Sequence, residues 1–284
     1  MTLKLIECPR DAMQGLHHFI PTQTKIDYIN GLLSIGFDTI DFGSFVSAKA
    51  IPQLLDTAEV LANLDLNHTK SKLLAIIANV RGAENACQHS QIKYLGFPFS
   101  ISETFQQRNT NRSMADSLLN VEAIQNLCVK NNKDLVIYIS MGFGNPYGDV
   151  WNVDIVEKWV NKMNQLGVKI ISLSDTIGVA NPETISYLFK SLIPSLPHIE
   201  FGAHLHTTPD TCREKVEAAY TSGCSRFDGA IKGFGGCPMA ADDLTGNMPT
   251  EKMLQYFDEI NLDTGLNKEN FNQSLLMADS VFLA

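Results

Sequence analysis

The stretch Leu3–Gly15, LKLIECPRDAMQG, decides the fold. Its first five residues read as a short strand. An open, doubly wound sheet would normally follow that strand with a glycine-rich phosphate loop. Here the strand runs into CPRDAMQG instead, which favours a closed barrel. Outward from this point, β-rich runs recur at Asp38–Phe42, Lys72–Ile77, Lys93–Phe97, Leu135–Ser140, Lys169–Ser174, Ile199–His206 and Ser225–Ile231. Helical patterns fall between them. Thr24–Gly36 carries Ile26, Ile29, Leu32 and Leu33 at helical spacing and stops at Gly36. Ser113 opens a helix as its N-cap, Gly167 ends another, and Asn181 with Pro182 forms a cap followed by proline at the first helical position. Further helices are read at Thr211–Gly223 and Thr250–Ile260. Eight strands in regular βα alternation predict an α/β fold, the (β/α)8 or TIM barrel, over residues 1–262. Residues 263–284 read as a short helical appendage of the same domain.

Composition narrows the function. The chain has 284 residues, 44% of them hydrophobic, enough for a large core. Its net charge of −9 and the lack of any basic run argue against nucleic acid as a partner. No segment approaches the roughly 20 apolar residues of a membrane span, so no membrane partner is expected. The N-terminus reads as neither a secretory signal nor a transit peptide. Six cysteines, none in a C-x-x-C pair, fit reduced thiols and a cytoplasmic home better than disulfides or structural zinc.

In a barrel, chemistry collects at the carboxyl ends of the strands. Asp11 follows the first strand, Asp41 ends the second and Asn79 follows the third. Asp175 follows the sixth, His204 and His206 end the seventh, and GFGGCPMA then Asn247 follow the eighth. In HLH the two imidazoles are at i and i+2, so they point the same way from a strand. Alone, the pair reads more readily as a polar strand end than as a metal site. With a carboxylate and a side-chain amide on the same rim it becomes a mixed N/O set suited to Mg²⁺, Mn²⁺ or a similar ion. Such an ion can polarise a substrate hydroxyl and carbonyl. Cys237, in a loop with Gly233, Gly235 and Gly236, is either a nucleophile or general acid, or a buried thiol in an ordinary turn. PRD alone is also a common surface pair, and Asp175 in SLSDTIG is also a helix cap.

Taken together, ECPRDAMQ, SFVSAKAIPQ, SETFQQRNTNRS, SLSDTIGVANP, HLH, GFGGCPMA and TGNMPTE resemble the hydroxymethylglutaryl-CoA lyases. That family belongs to a metal-dependent barrel superfamily that also holds isopropylmalate and homocitrate synthases. The pieces run in order from Glu7 to Glu251. The resemblance implies cleavage of 3-hydroxy-3-methylglutaryl-CoA to acetyl-CoA and acetoacetate, as in leucine degradation and ketone-body formation. It implies a divalent metal ion, Mg²⁺ or Mn²⁺, held by Asp11, His204, His206 and Asn247. It also implies an acyl-CoA substrate and a homodimer. Arg10 then stabilises the enolate oxygen and Cys237 takes part in proton transfer. Asp175, Asp41 and Glu251 match acidic catalytic positions, and Gln14, Ser44 and Asn79 join Arg10 in substrate binding. Three departures stand beside these positions: Ala12 replaces the family's glycine, Asp41 its glutamate, and Thr207 the acidic residue after the second histidine. A condensing synthase that joins acetyl-CoA to a 2-oxo acid is one alternative, and the short segment after the barrel speaks against it. A catalytically silent acyl-CoA-binding barrel is the other.

Overall fold

The computed structural model describes residues 2–236 and 245–283. Eight parallel strands form its centre. These are β1 (Lys4–Glu7), β2 (Thr39–Ser44), β3 (Lys72–Ile76) and β4 (Ile92–Ser100), then β5 (Asp134–Ser140), β6 (Ile170–Asp175), β7 (Glu200–Thr207) and β8 (Arg226–Gly229). Each pairs with its neighbour in sequence, and β8 pairs back onto β1, so the ring closes without an exposed edge. This is the expected TIM barrel. A ninth strand, β9 (Gly246–Asn247), pairs antiparallel with the end of β7, placing Asn247 opposite His206.

Period-2 alternation along the strands builds two apolar layers. Leu74, Ile76, Tyr94, Val136, Tyr138 and Ile170 form one cluster inside the ring. Their sequence neighbours, among them Leu73, Ala75, Leu95, Leu135, Ile137 and Ile171, join the larger cluster between ring and helices.

The helices are α1 (Pro9–Gln14), α2 (Thr22–Leu33), α3 (Thr57–Ala62), α4 (Val80–Cys87) and α5 (Glu103–Thr110). They continue with α6 (Met114–Lys130), α7 (Val153–Gln165), α8 (Pro182–Ser195), α9 (Cys212–Thr221), α10 (Thr250–Glu259) and α11 (Lys268–Phe282). Ser113 caps α6 through its side chain, and Asn181 with Thr184 forms a reciprocal capping box on α8. Gly167 lies at φ 82° just past α7, the left-handed position that ends many helices. The end of α2 differs from the sequence reading. Helix α2 ends at Leu33, before Gly36, because Ser34 and Ile35 close the turn through i−3 bonds. Helix α8 runs on through Pro194, which sits in its last turn. The appendage is α11, whose Phe282 meets Tyr28 of α2 edge-on at 5.6 Å.

Candidate active site

The turn after β1 is helical. Pro9 fixes the first helical position of α1, and the single turn that follows sets Arg10, Asp11 and Gln14 at the barrel mouth. All three line a cavity of about 330 Å³ together with His204, His206, Tyr138, Thr176 and apolar side chains such as Ile76 and Phe105.

Arg10 is buried and heavily bonded. Its Nε and Nη2 both donate to Asp41 Oδ2, at 2.9 and 2.5 Å. Its Nη1 donates to Asp11 Oδ1 at 2.8 Å and to Gln14 Oε1 at 2.9 Å. Gln14 Nε2 donates back to Asp11 Oδ1 at 2.7 Å. Of the five guanidinium hydrogens, one on Nη2 is uncommitted among the described residues. Burial lowers the Arg10 pKa, but the Asp41 and Asp11 carboxylates outweigh it, so the net shift is upward and the charge is permanent. Burial raises Asp41 to about 6 even against the pull of Arg10. Asp11 goes the other way: burial pushes it up, yet Arg10 and the imidazoles bring it down to about 2. Asp11 is therefore a carboxylate at neutral pH.

The two histidines leave β7 on one face, with ring centroids 5.6 Å apart. Their tautomers follow from their partners. His206 Nδ1 lies 2.9 Å from the Thr176 carbonyl, which can only accept, so Nδ1 carries the hydrogen and Nε2 the lone pair. His204 Nδ1 lies 3.2 Å from Asp228 Oδ2, which likewise leaves Nε2 to face the cavity. Burial, with the neighbouring His204 charge, lowers His206 to about 4, so it is neutral in the cell's pH range. Burial lowers His204 too, but its hydrogen bond to Asp228 and that residue's charge outweigh it and the net shift is upward.

These donors converge. One atom each from Asp11, His204 and His206 lies within 4.8 Å of the others. His206 Nε2 is buried without a hydrogen-bond partner, an orphaned lone pair that a cation would satisfy. Asn247 joins through β9, which sets it opposite His206; its amide nitrogen donates to the Phe234 carbonyl at 2.9 Å, so Oδ1 is the atom it can offer a cation. A carboxylate, two imidazole nitrogens and an amide oxygen fit a divalent ion of the Mg²⁺ or Mn²⁺ class. Cys8, His204 and Asp228 also cluster. That set competes poorly, because burial and three nearby carboxylates hold the Cys8 thiol protonated and Asp228 already engages His204 Nδ1.

The remaining sequence candidates do other work. Asp175 is buried at the end of β6 and pairs with Lys215 at 2.9 Å. Glu251, in the first turn of α10, accepts the Lys232 backbone N–H at 2.9 Å. Asn79 caps α4, its Oδ1 accepting from Gly82 at 2.9 Å. Ser44 Oγ accepts from Val46 N at 3.2 Å in the turn after β2. None of these four lines the cavity among the described residues. Cys237 lies outside the described residues. Sequence reasoning missed Asp228, Thr176, Tyr138 and Lys215. Asp228 carried a usable signal, a carboxylate two residues from Arg226 within a short strand, where a buried charge must have a partner; the others carried none.

The HMGL-like family model matches residues 4–276. The chain is 32% identical to a hydroxymethylglutaryl-CoA lyase of Bacillus subtilis, over 92% of this chain and 86% of the relative. It is also 32% identical to a Pseudomonas aeruginosa 3-hydroxy-3-isohexenylglutaryl-CoA/hydroxymethylglutaryl-CoA lyase, over 93% of this chain and 88% of that one. Among solved structures, an HMG-CoA lyase from Acinetobacter baumannii in complex with coenzyme A and 3-methylmalate superposes with a TM-score of 0.90 at 30% identity, covering 99% of this chain and 91% of that chain.

Proposed function

Because the chain belongs to the HMGL-like family, we propose that it is a carbon–carbon lyase cleaving 3-hydroxy-3-methylglutaryl-CoA to acetyl-CoA and acetoacetate. The observation that carries this reading is the convergence of Arg10, Asp11, His204 and His206 on one cavity. The solved relative that holds coenzyme A supports an acyl-CoA as the substrate. Asp11, His204, His206 and Asn247 would hold the divalent ion, Mg²⁺ or Mn²⁺. When bound, that ion supplies Lewis acidity toward the substrate's tertiary hydroxyl and an adjacent carbonyl.

The chain's own groups supply the rest. The tertiary hydroxyl gives its proton up to solvent, from which the thiol that later protonates the enolate is restored; its oxygen becomes the ketone of acetoacetate, and the bond to the thioester α-carbon breaks. The electron pair of that bond passes into the thioester enolate. The uncommitted Nη2 hydrogen of Arg10 is the donor for the enolate oxygen, and Asp41 and Gln14 hold the guanidinium so that it needs no reorganisation. The enolate carbon then takes a proton to give acetyl-CoA, with the Cys237 thiol as the proposed donor. Asp175 and Glu251 serve by holding Lys215 and the Lys232 backbone. The same reading assigns the chain to the cytoplasm as a homodimer.

The test is product identification. The enzyme, given 3-hydroxy-3-methylglutaryl-CoA and Mg²⁺ or Mn²⁺, is expected to release acetoacetate and acetyl-CoA in equal amounts. Release of free CoA from acetyl-CoA and a 2-oxo acid would instead mark a condensing synthase. Acyl-CoA binding without turnover would mark a silent barrel.

A further inference from the structure

Lys215 is an ammonium group buried in a place that the reaction scheme leaves unused. It rises from the first turn of α9 and is 2% exposed. Its three hydrogens meet three acceptors: Asp175 Oδ2 at 2.9 Å, the His206 carbonyl at 2.8 Å and the Gly178 carbonyl at 3.1 Å. An ammonium has three donors and no acceptor, so this is a complete set.

We propose that Lys215 is a positioning residue of the cation site, clamping the end of β7 and the turn after β6 so that His206 Nε2 points at the ion. The proposal rests on the reading of Asp11, His204, His206 and Asn247 as cation ligands. All three bonds act on His206. The first holds the histidine's own carbonyl and so fixes where its Cα sits. The others, to Gly178 and Asp175, pin the two ends of a turn whose Thr176 carbonyl receives the His206 Nδ1–H at 2.9 Å. Backbone position and ring rotation of His206 are thus set by one ammonium. Residue 207 is a threonine whose hydroxyl turns to the Thr208 carbonyl, 2.8 Å away, and to Thr211. No carboxylate follows the histidine to hold this strand end, and Lys215 acts there from the neighbouring helix.

The test separates positioning from stability. Chelator-stripped protein is titrated with Mn²⁺, free ion being read by electron paramagnetic resonance, and thermal midpoints are recorded without metal. Lys215→Met is expected to bind Mn²⁺ about 10- to 100-fold more weakly. It also leaves the Asp175 carboxylate buried and unpaired, which lowers its thermal midpoint. The double variant Lys215→Met/Asp175→Asn removes that charge while keeping a side chain of nearly the same size at the end of β6. It is expected to regain thermal stability while its Mn²⁺ affinity stays low, and it decides the matter alone if the single variant does not fold. Wild-type Mn²⁺ affinity in either variant would overturn the proposal and leave the cation site standing. Failure of the wild-type protein to bind Mn²⁺ would overturn both.

Discussion

Arg10 and the histidine pair divide the work of the site, and substitution can show the division. Arg10→Met removes the donor aimed at the enolate oxygen, so kcat is expected to fall about 10²- to 10³-fold. Mn²⁺ affinity should change far less than in Asp11→Ala or His206→Ala, each of which deletes a ligand. Steady-state rates beside Mn²⁺ titrations check this, and an Arg10→Met protein that loses metal as readily as His206→Ala contradicts it. A second test concerns Glu7, which the chemistry does not use. It is buried beneath the site, accepting from the Ile231 N–H at 2.8 Å and the Thr250 hydroxyl at 2.6 Å. Burial raises its pKa to about 8. A folded-state pKa above the unfolded one means that the folded protein binds the extra proton. The stability from this group is full below about pH 4.5 and is lost as pH rises through 8, at up to about 1.4 kcal/mol per pH unit. Glu7→Gln should flatten that slope in denaturant melts between pH 5 and 8.5; an unchanged slope would show that Glu7 is ionised in the fold.

The short elements at the mouth set the geometry at the next scale. Gly235 sits at φ +85°, and a Cβ there would come within 2.6 Å of the Asp11 carbonyl and 2.8 Å of the Asn247 amide. Gly235→Ala is therefore expected to weaken Mn²⁺ binding and turnover together, while Asn181→Ala, which removes the α8 cap at a residue that does not line the cavity, should cost about 1 kcal/mol of stability and leave kcat intact. Urea melts and initial rates distinguish the two. The long elements were legible in the sequence because caps and breakers mark them locally: Ser113, Asn181, Pro182 and Gly167 each sit where propensity puts them. Helices α1, α3, α4 and α5 were not legible. Six or eight residues carry too few periodic apolar positions to stand out, and tertiary packing holds such helices in place. The convergence of Asp11, His204 and His206 was legible because a barrel gathers its strand ends on one rim. The supporting groups were not, since Lys215 meets Asp175 from 40 residues away and nothing local in the sequence marks that pairing.

At the scale of the whole molecule, the closed ring explains why donors so distant in sequence meet. Each strand is fixed between two neighbours, so its carboxyl end has one place to go. The helix after the barrel belongs to this frame. Phe271, Val281 and Phe282 of α11 are buried, and Phe282 also packs against Phe234 with ring centroids 4.7 Å apart, two residues from the end of the described glycine segment. A chain ending at Leu266 would expose Tyr28 and Phe37. It is expected to melt several degrees lower, or to aggregate, in a thermal scan; an unchanged midpoint would make α11 a separate appendage.

The most direct measurement is an anomalous-scattering map of crystals grown with Mn²⁺. A single manganese peak bonded to Asp11, His204, His206 and Asn247, with Arg10 beside the remaining coordination face, is the predicted result. A manganese bound elsewhere, or a mouth in which these four side chains stay apart with the ion present in excess, would contradict it.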